Sequence, residues 1–182
     1  MTTRRSGAAP LLLAVALATL PTMASGQARG PSGATVGWPP IEAGVHGGLD
    51  YRSNRSVLGA QIRIPIHPSG YVELVPNGDI TFLPQQKEYM AGVDVVGISG
   101  GRRGGIYAGG GITWRDALYD RVRSTKRVPT IVAGVRSPSL FGAPFSTQLE
   151  VRWVRVDTPV KPKLLTFGVN FPLWGRGERA RR

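Results

Sequence analysis

Two histidines and a scatter of carboxylates are the residues with which this chain could do chemistry. His46 stands between Glu42 and Asp50, four positions from each. In a strand, residues separated by an even number share a face, so the three would point the same way. A histidine beside carboxylates can act as a general base. It can equally be a hydrogen-bonded member of a buried polar cluster, and that structural role is the one expected. His67 lies in His67-Pro68-Ser69, which reads as a tight turn. The glycine-rich run Gly100 to Gly105, GGRRGG, has no Lys-Ser or Lys-Thr behind it. It therefore reads as a hairpin turn and not as a phosphate-binding loop. There is no cysteine, which excludes a disulfide scaffold and a thiolate metal site. No His, Asp and Glu cluster has metal-ligand spacing. The expectation is no catalytic residue, no metal and no cofactor.

The remaining charged residues form two matched sets. Glu42, Asp50, Glu73, Asp94 and Glu150 oppose Arg63, Arg115, Arg136 and Arg152. Each falls on the polar side of a segment in which every second residue is apolar. IEAGVHGGLDY, Ile41 to Tyr51, sets Ile41, Ala43, Val45 and Leu49 against Glu42, His46 and Asp50. SVLGAQIRIPI, Ser56 to Ile66, places Leu58, Ile62 and Ile64 opposite Gln61 and Arg63. Glu88 to Gly97, Gly105 to Arg115, Val128 to Arg136, Phe145 to Val154 and Leu164 to Trp174 alternate in the same way. This period of two marks β-strands. No segment beyond residue 40 sustains a helical period. GYVELVPNGDITFL, Gly70 to Leu83, holds Pro-Asn-Gly-Asp at its centre. Asn-Gly between apolar runs is a hairpin signal. The reading taken is one long, bent strand, because two short strands would be out of scale with the others.

Length then separates fold classes. Most segments run to roughly 9–11 residues, the length of a membrane-spanning strand at a tilt near 45°. Lysine sits between the segments, at Lys87, Lys126, Lys161 and Lys163, and hardly within them. With both chain ends on one side, Tyr51, Tyr89, Trp114 and Trp153 fall near one end of the strands. Trp38, Phe145, Phe171 and Trp174 fall near the other. Two aromatic rims suit the two interfaces of a bilayer.

The flanks bear on location. The chain has 182 residues and a formal charge of +12, which alone would suit a nucleic-acid partner. Residues 1–28 read instead as a secretory signal: Arg4 and Arg5, an apolar stretch from Ala8 to Leu20, then small residues from Ala24 to Ala28. The apolar stretch is short for a membrane-spanning helix, which takes roughly 20 residues. Export argues against nucleic acid. Residues 29–40 read as a flexible lead-in, 41–174 as the barrel, and 175–182 as a basic tail.

On these segments, and above all on LLTFGVNFPLW, Leu164 to Trp174, the chain resembles the small outer-membrane β-barrel family that includes the OmpA transmembrane domain and OmpX. Members tend to end in alternating apolar residues with a glycine and a terminal aromatic, read by the barrel-assembly machinery. Phe167, Gly168, Val169 and Phe171 look like that signal, although PLWGRGERARR follows here. The resemblance implies an all-β, antiparallel up-and-down barrel in the cell outer membrane, monomeric and non-enzymatic. The lipid A deacylases of this barrel class carry a His-x-Ser pair, which His67 and Ser69 match in spacing. They do so in a turn at the wrong end, so the match is set aside.

Chain length limits the barrel to about eight strands, whose interior is just wide enough for side chains. A plugged lumen follows, built from Glu42, His46, Asp50, Arg63, Glu73, Asp94, Arg115, Glu150 and Arg152. Ala117 to Arg127 reads as the longest outer loop, with Arg121, Arg123, Lys126 and Arg127. Arg52, Arg55, Lys161 and Lys163 join it in a basic rim that could meet lipopolysaccharide phosphates. An envelope or adhesion role is expected. The alternative is a secreted, soluble β-barrel or sandwich that binds a small apolar ligand.

Overall fold

The computed structural model describes residues 38–83, 87–119, 122–137, 144–155 and 162–174; residues 118–119, 122–124 and 174 are described by their backbone alone. The segments read as a signal (1–28) and as a basic tail (175–182) lie outside the described residues, as does most of the lead-in. Residues 38–40 of that lead-in carry no regular structure.

Eight strands follow in chain order: β1 (Ile41–Asp50), β2 (Arg55–Pro65), β3 (Val72–Phe82), β4 (Lys87–Ile98), β5 (Gly105–Tyr119), β6 (Val122–Ser137), β7 (Ser146–Val154) and β8 (Lys163–Trp174). Each pairs antiparallel with its chain neighbours, and β8 returns to β1. The result is a closed, up-and-down barrel. Closure leaves no sheet edge between first and last strands. It also excludes the two-sheet sandwich that the sequence left open.

The alternation read from the sequence sorts side chains to the two faces. β4 shows it without a break, alternating exposed and buried from Lys87 to Ile98. The turns follow their residue types. Asn54 ends the Tyr51–Asn54 turn at φ 53°, a left-handed conformation that asparagine tolerates better than most residues. GGRRGG makes the turn between β4 and β5, with a single 3-10 turn at Gly101–Arg103.

The loop expectations change, and the long-strand reading of Gly70 to Leu83 holds. Ala117 to Arg127 is not a loop: β5 continues to Tyr119 and β6 begins at Val122, so the pair runs on as a hairpin. Charged residues do not end a strand whose backbone stays paired, and here the ladder runs on to Tyr119 and Val122. Arg55 and Lys163 likewise stand at the ends of β2 and β8, not in loops. The Pro76-Asn77-Gly78-Asp79 run lies inside β3 and forms no hairpin. β3 holds one register against β2, from Val57↔Thr81 to Pro65↔Glu73, with no bulge. The ladder lacks partners only between Gln61↔Asn77 and Ile64↔Leu74, opposite Pro76, which has no N–H to give. Between β1 and β8 the register shifts at Ile41 and Glu42, where β1 meets Pro172.

Candidate functional site: the filled lumen

The inner face of the barrel is its polar face. All nine lumen residues named from the sequence are buried. They do not form one cluster. Glu42, His46 and Asp50 share the inner face of β1, yet each has its partners elsewhere. Asp50 accepts from Arg52 N, Ser53 Oγ and Lys163 N, so it caps the first turn and ties in the start of β8. His46 Nε2 lies 2.6 Å from Asp79 Oδ1, two strands away on β3. Gly59 of β2 stands between them in the ladder. A Cβ at Gly59 would collide with both His46 Nε2 and Asp79 Oδ1. The missing side chain lets two strands bond over a third.

At mid-height the guanidinium of Arg152 is the hub. Nη1 donates to Asn77 Oδ1 (2.5 Å) and Asp79 Oδ2 (3.2 Å). Nη2 reaches Glu150 Oε1 (3.0 Å) and Asp94 Oδ2 (3.2 Å). The carboxylates are held from their other sides. Asp94 accepts from Asn77 Nδ2 (2.8 Å) and Thr130 Oγ1 (2.7 Å). Glu150 accepts from Tyr107 OH (2.8 Å). A buried ion needs such partners, since desolvation costs several kcal/mol per charge.

Towards the end where β1 begins, called the lower end, a second group gathers on Glu73. It accepts from Arg63 Nε (2.7 Å) and Arg136 Nη1 (2.6 Å). Arg136 Nη2 also donates to Glu42 Oε1 (2.6 Å), and Ser146 Oγ donates to Glu42 Oε2 (2.9 Å). Arg63 Nη1 and Gln61 Nε2 both donate to Gln148 Oε1. At the upper end Arg115 pairs with Glu88 through Nε and Nη2.

Several buried members were not among the nine: Asp79, Glu88, Gln61, Asn77 and Gln148. The signal for Asp79 was present, since it has the same parity on β3 as Glu73. It was hidden because the Pro-Asn-Gly-Asp run left the parity of β3 open. Uncharged amides carried no signal beyond parity.

An apolar cluster lies between the central group and the upper end. Val57, Met90, Val128, Val154 and Leu164, from five strands, cluster inside the barrel. A second apolar cluster, Val75, Val96, Ile98, Tyr107 and Val132, lines β3 to β6 in the lower half.

The outer face is apolar. Val45, Ile106 and Ile131 are 59%, 65% and 62% exposed, whereas Arg63 and Asp94 are 1% exposed. The outward residues from Leu58 of β2 to Ile66 just beyond it are all apolar, a band roughly 20 Å tall after tilt. Tyr51, Tyr89, Trp114 and Trp153 are exposed near the upper end, and Trp38 and Phe171 near the lower. The Phe145 and Phe171 rings stack at 5.9 Å between centroids. For Trp174 the backbone stands in β8, pairing with Ile41. Phe167, Gly168 and Val169 lie in β8, with Gly168 turned inward beside His46. Of the basic group, Lys126 and Arg127 are exposed on β6, and Arg127 lies over the Trp114 ring at 5.6 Å. Arg123 is placed by backbone only, and Arg121 and Lys161 lie outside the described residues. His67 Nδ1 and Ser69 Oγ are bonded within an exposed lower turn. Among the described residues no group of three or more His, Cys, Asp or Glu could hold a metal ion.

No family model matches the chain, and no curated protein matches it in sequence. Solved structures do match its fold. The N-terminal β-barrel domain of Pseudomonas aeruginosa OprF aligns with a TM-score of 0.57 at 15% identity, over 74% of this chain and 98% of that one. Neisserial surface protein A aligns at 0.46 and 14%, over 72% and 95%. The Yersinia pestis outer membrane protein Ail aligns at 0.45 and 12%, over 73% and 99%. At such identities the likeness speaks for architecture: the chain shares its closed-barrel fold with the OprF N-terminal domain.

Proposed function

We propose that the chain is a non-enzymatic barrel of the outer membrane, with a lumen filled by side chains and a structural or adhesive role in the envelope. One observation carries this reading. The barrel is inside out relative to a soluble protein: ions and amides are buried, and a continuous apolar belt is exposed. Monomeric soluble proteins rarely expose apolar patches beyond a few hundred Å². A closed barrel satisfies its backbone internally, which a bilayer demands. The soluble alternative with an apolar ligand has no support in this lumen, whose lining is mostly polar.

The same reading gives the chain two partners. The assembly machinery would read Phe167, Gly168, Val169 and Phe171 on β8. Lipopolysaccharide phosphates would meet the upper cations, Lys126 and Arg127 with Arg121 and Arg123. Replacing these four with Ala is expected to reduce retained lipopolysaccharide. The chain itself is expected to act as a monomer.

The deciding experiment is fractionation of cells expressing the full chain, followed by electrophoresis of boiled and unboiled samples. The expected result is recovery in the outer-membrane fraction with a heat-dependent mobility change. Recovery in the soluble periplasm with no such change would overturn the proposal.

A further inference from the structure

The lumen carries polar side chains along its length, beside an apolar cluster on β3 to β6 in its lower half and a second apolar group higher up. A column of polar side chains rises from Glu42, Arg136 and Ser146 at the lower mouth, past Arg63 and Gln148, to Arg152 at mid-height. Above it the five apolar residues of the upper layer close in from β2, β4, β6, β7 and β8, each 5% exposed or less. They occupy the inward positions next above the central group: Val57 above Gly59, Val128 above Thr130, Val154 above Arg152. On the remaining strands the ladder sets Thr81 beside Val57, Thr113 beside Val128, Asp50 beside Leu164, and Asp79 and Arg115 beside Met90. The five apolar side chains make a collar, and the charges next to it have partners above or below it: Asp50 in the first turn, Arg115 with Glu88 at the upper end, Asp79 with His46 and Arg152.

The polar atoms that lack a partner are not spread evenly. Among the described residues, His46 Nδ1, Gln61 Oε1, Arg63 Nη2, Thr113 Oγ1, Arg136 Nε, Gln148 Nε2 and Arg152 Nε are buried with none. Six of the seven lie on the column below the collar; the seventh, Thr113 Oγ1, stands beside Val128 at the collar's own level. Buried polar groups are bonded to protein or to water in the great majority of cases. A site with several convergent donors and acceptors meets the condition for ordered water. The column also carries an acidic excess. Glu42, Glu73, Asp79, Asp94 and Glu150 face Arg63, Arg136 and Arg152, five carboxylates to three guanidiniums, with His46 and Tyr107 beside them.

We propose that the lumen is a one-ended aqueous chamber: water and small cations enter the polar column from the lower end, and the Val57, Met90, Val128, Val154 and Leu164 collar seals it from the upper end. An apolar constriction stops ions by dewetting, without any mechanical plug. The ion pairs then fill the chamber but are not its seal. The inference rests on the outer-membrane reading, which gives the two ends different surroundings.

The absence of cysteine makes the test clean. Thr166 is buried on β8, the next inward residue below Leu164. Full-length Thr166→Cys would be reconstituted in vesicles and treated with a small cationic thiol reagent from one side at a time, with sidedness scored by an added upper-turn tag. Labelling from the lower side is expected to be faster by about tenfold or more, the effect of roughly 1.4 kcal/mol on the barrier. Adding Met90→Ser and Leu164→Ser should bring the two rates together. If the double change prevents folding, judged by heat-dependent mobility, Leu164→Ser alone serves and should narrow the ratio. Equal rates with the collar intact, no labelling from either side, or a ratio unmoved in a folded collar variant would each overturn the proposal. A chain recovered in the soluble fraction would instead overturn the outer-membrane reading, so the two failures are distinguishable.

Discussion

The residue that most constrains the lumen has no side chain. Gly59 lies where a Cβ would collide with the His46 and Asp79 atoms that bond over it. Gly59→Ala is therefore expected to break the His46–Asp79 pair and leave Asp79 with Arg152 as its remaining ionic partner. The expected cost is about 1–3 kcal/mol, the range for a buried polar group that loses its bond. Arg152→Met should cost more, about 3–5 kcal/mol, because it strands Asp79, Asp94 and Glu150 together. Urea titration of the folded fraction in lipid, read by heat-dependent mobility, would rank the two. An Arg152→Met protein as stable as its parent would show that the hub is dispensable. Inward-pointing charges were legible in the sequence because parity alone assigns a face. Partners were not legible. Which carboxylate meets His46 depends on registers of two strand pairs, and parity along β1 favoured Glu42 and Asp50.

At the scale of elements, β3 and β8 pose opposite problems. β3 carries a turn-like run and is nonetheless a strand, since Val75, Asn77 and Asp79 all reach inward contacts that a hairpin would discard. Propensity is a weak guide where packing on both sides fixes the backbone. Pro76 leaves a gap in the ladder to β2, so Pro76→Val should restore a hydrogen bond there. The expected gain is about 1 kcal/mol, seen as a raised urea midpoint with an unchanged slope. A lowered midpoint would mean that the proline ring's place on the outer face matters more than the missing donor. β8 was legible as a strand to Trp174, and its backbone pairs that far; the end of the assembly address was not legible, because PLWGRGERARR follows Phe171. If Phe171 belongs to the assembly address, Phe171→Ala should slow appearance of the heat-modifiable form in cells. The mature protein's stability should fall by no more than the loss of one half-exposed ring would cause. Equal slowing and destabilisation would assign Phe171 to packing alone.

For the whole molecule, the sequence carried the fold more fully than its surroundings. Alternation marks strands in a sandwich and a barrel alike, and only strand length and the sorting of aromatics leaned towards a bilayer. The structure adds that the apolar face is the outer one, and this yields a test that does not pass through any site. Ile131 is 62% exposed near the middle of β6, between Pro129 and Ala133 on the outer face. In water, Ile131→Lys removes an exposed apolar side chain and should leave stability within about 0.5 kcal/mol of the parent. In a bilayer, a lysine on the lipid face at mid-depth costs about 2–4 kcal/mol, falling towards zero near the interfaces. A series of lysines at Ile131, Val135 and Pro129 should therefore show a cost that peaks at one depth. A matching series on β4, at Val93 and Tyr89, should peak at the same depth, with Val93 the costlier. The measurement is the urea midpoint of each variant refolded into vesicles. A flat profile on both strands would mean that water and not lipid covers this face.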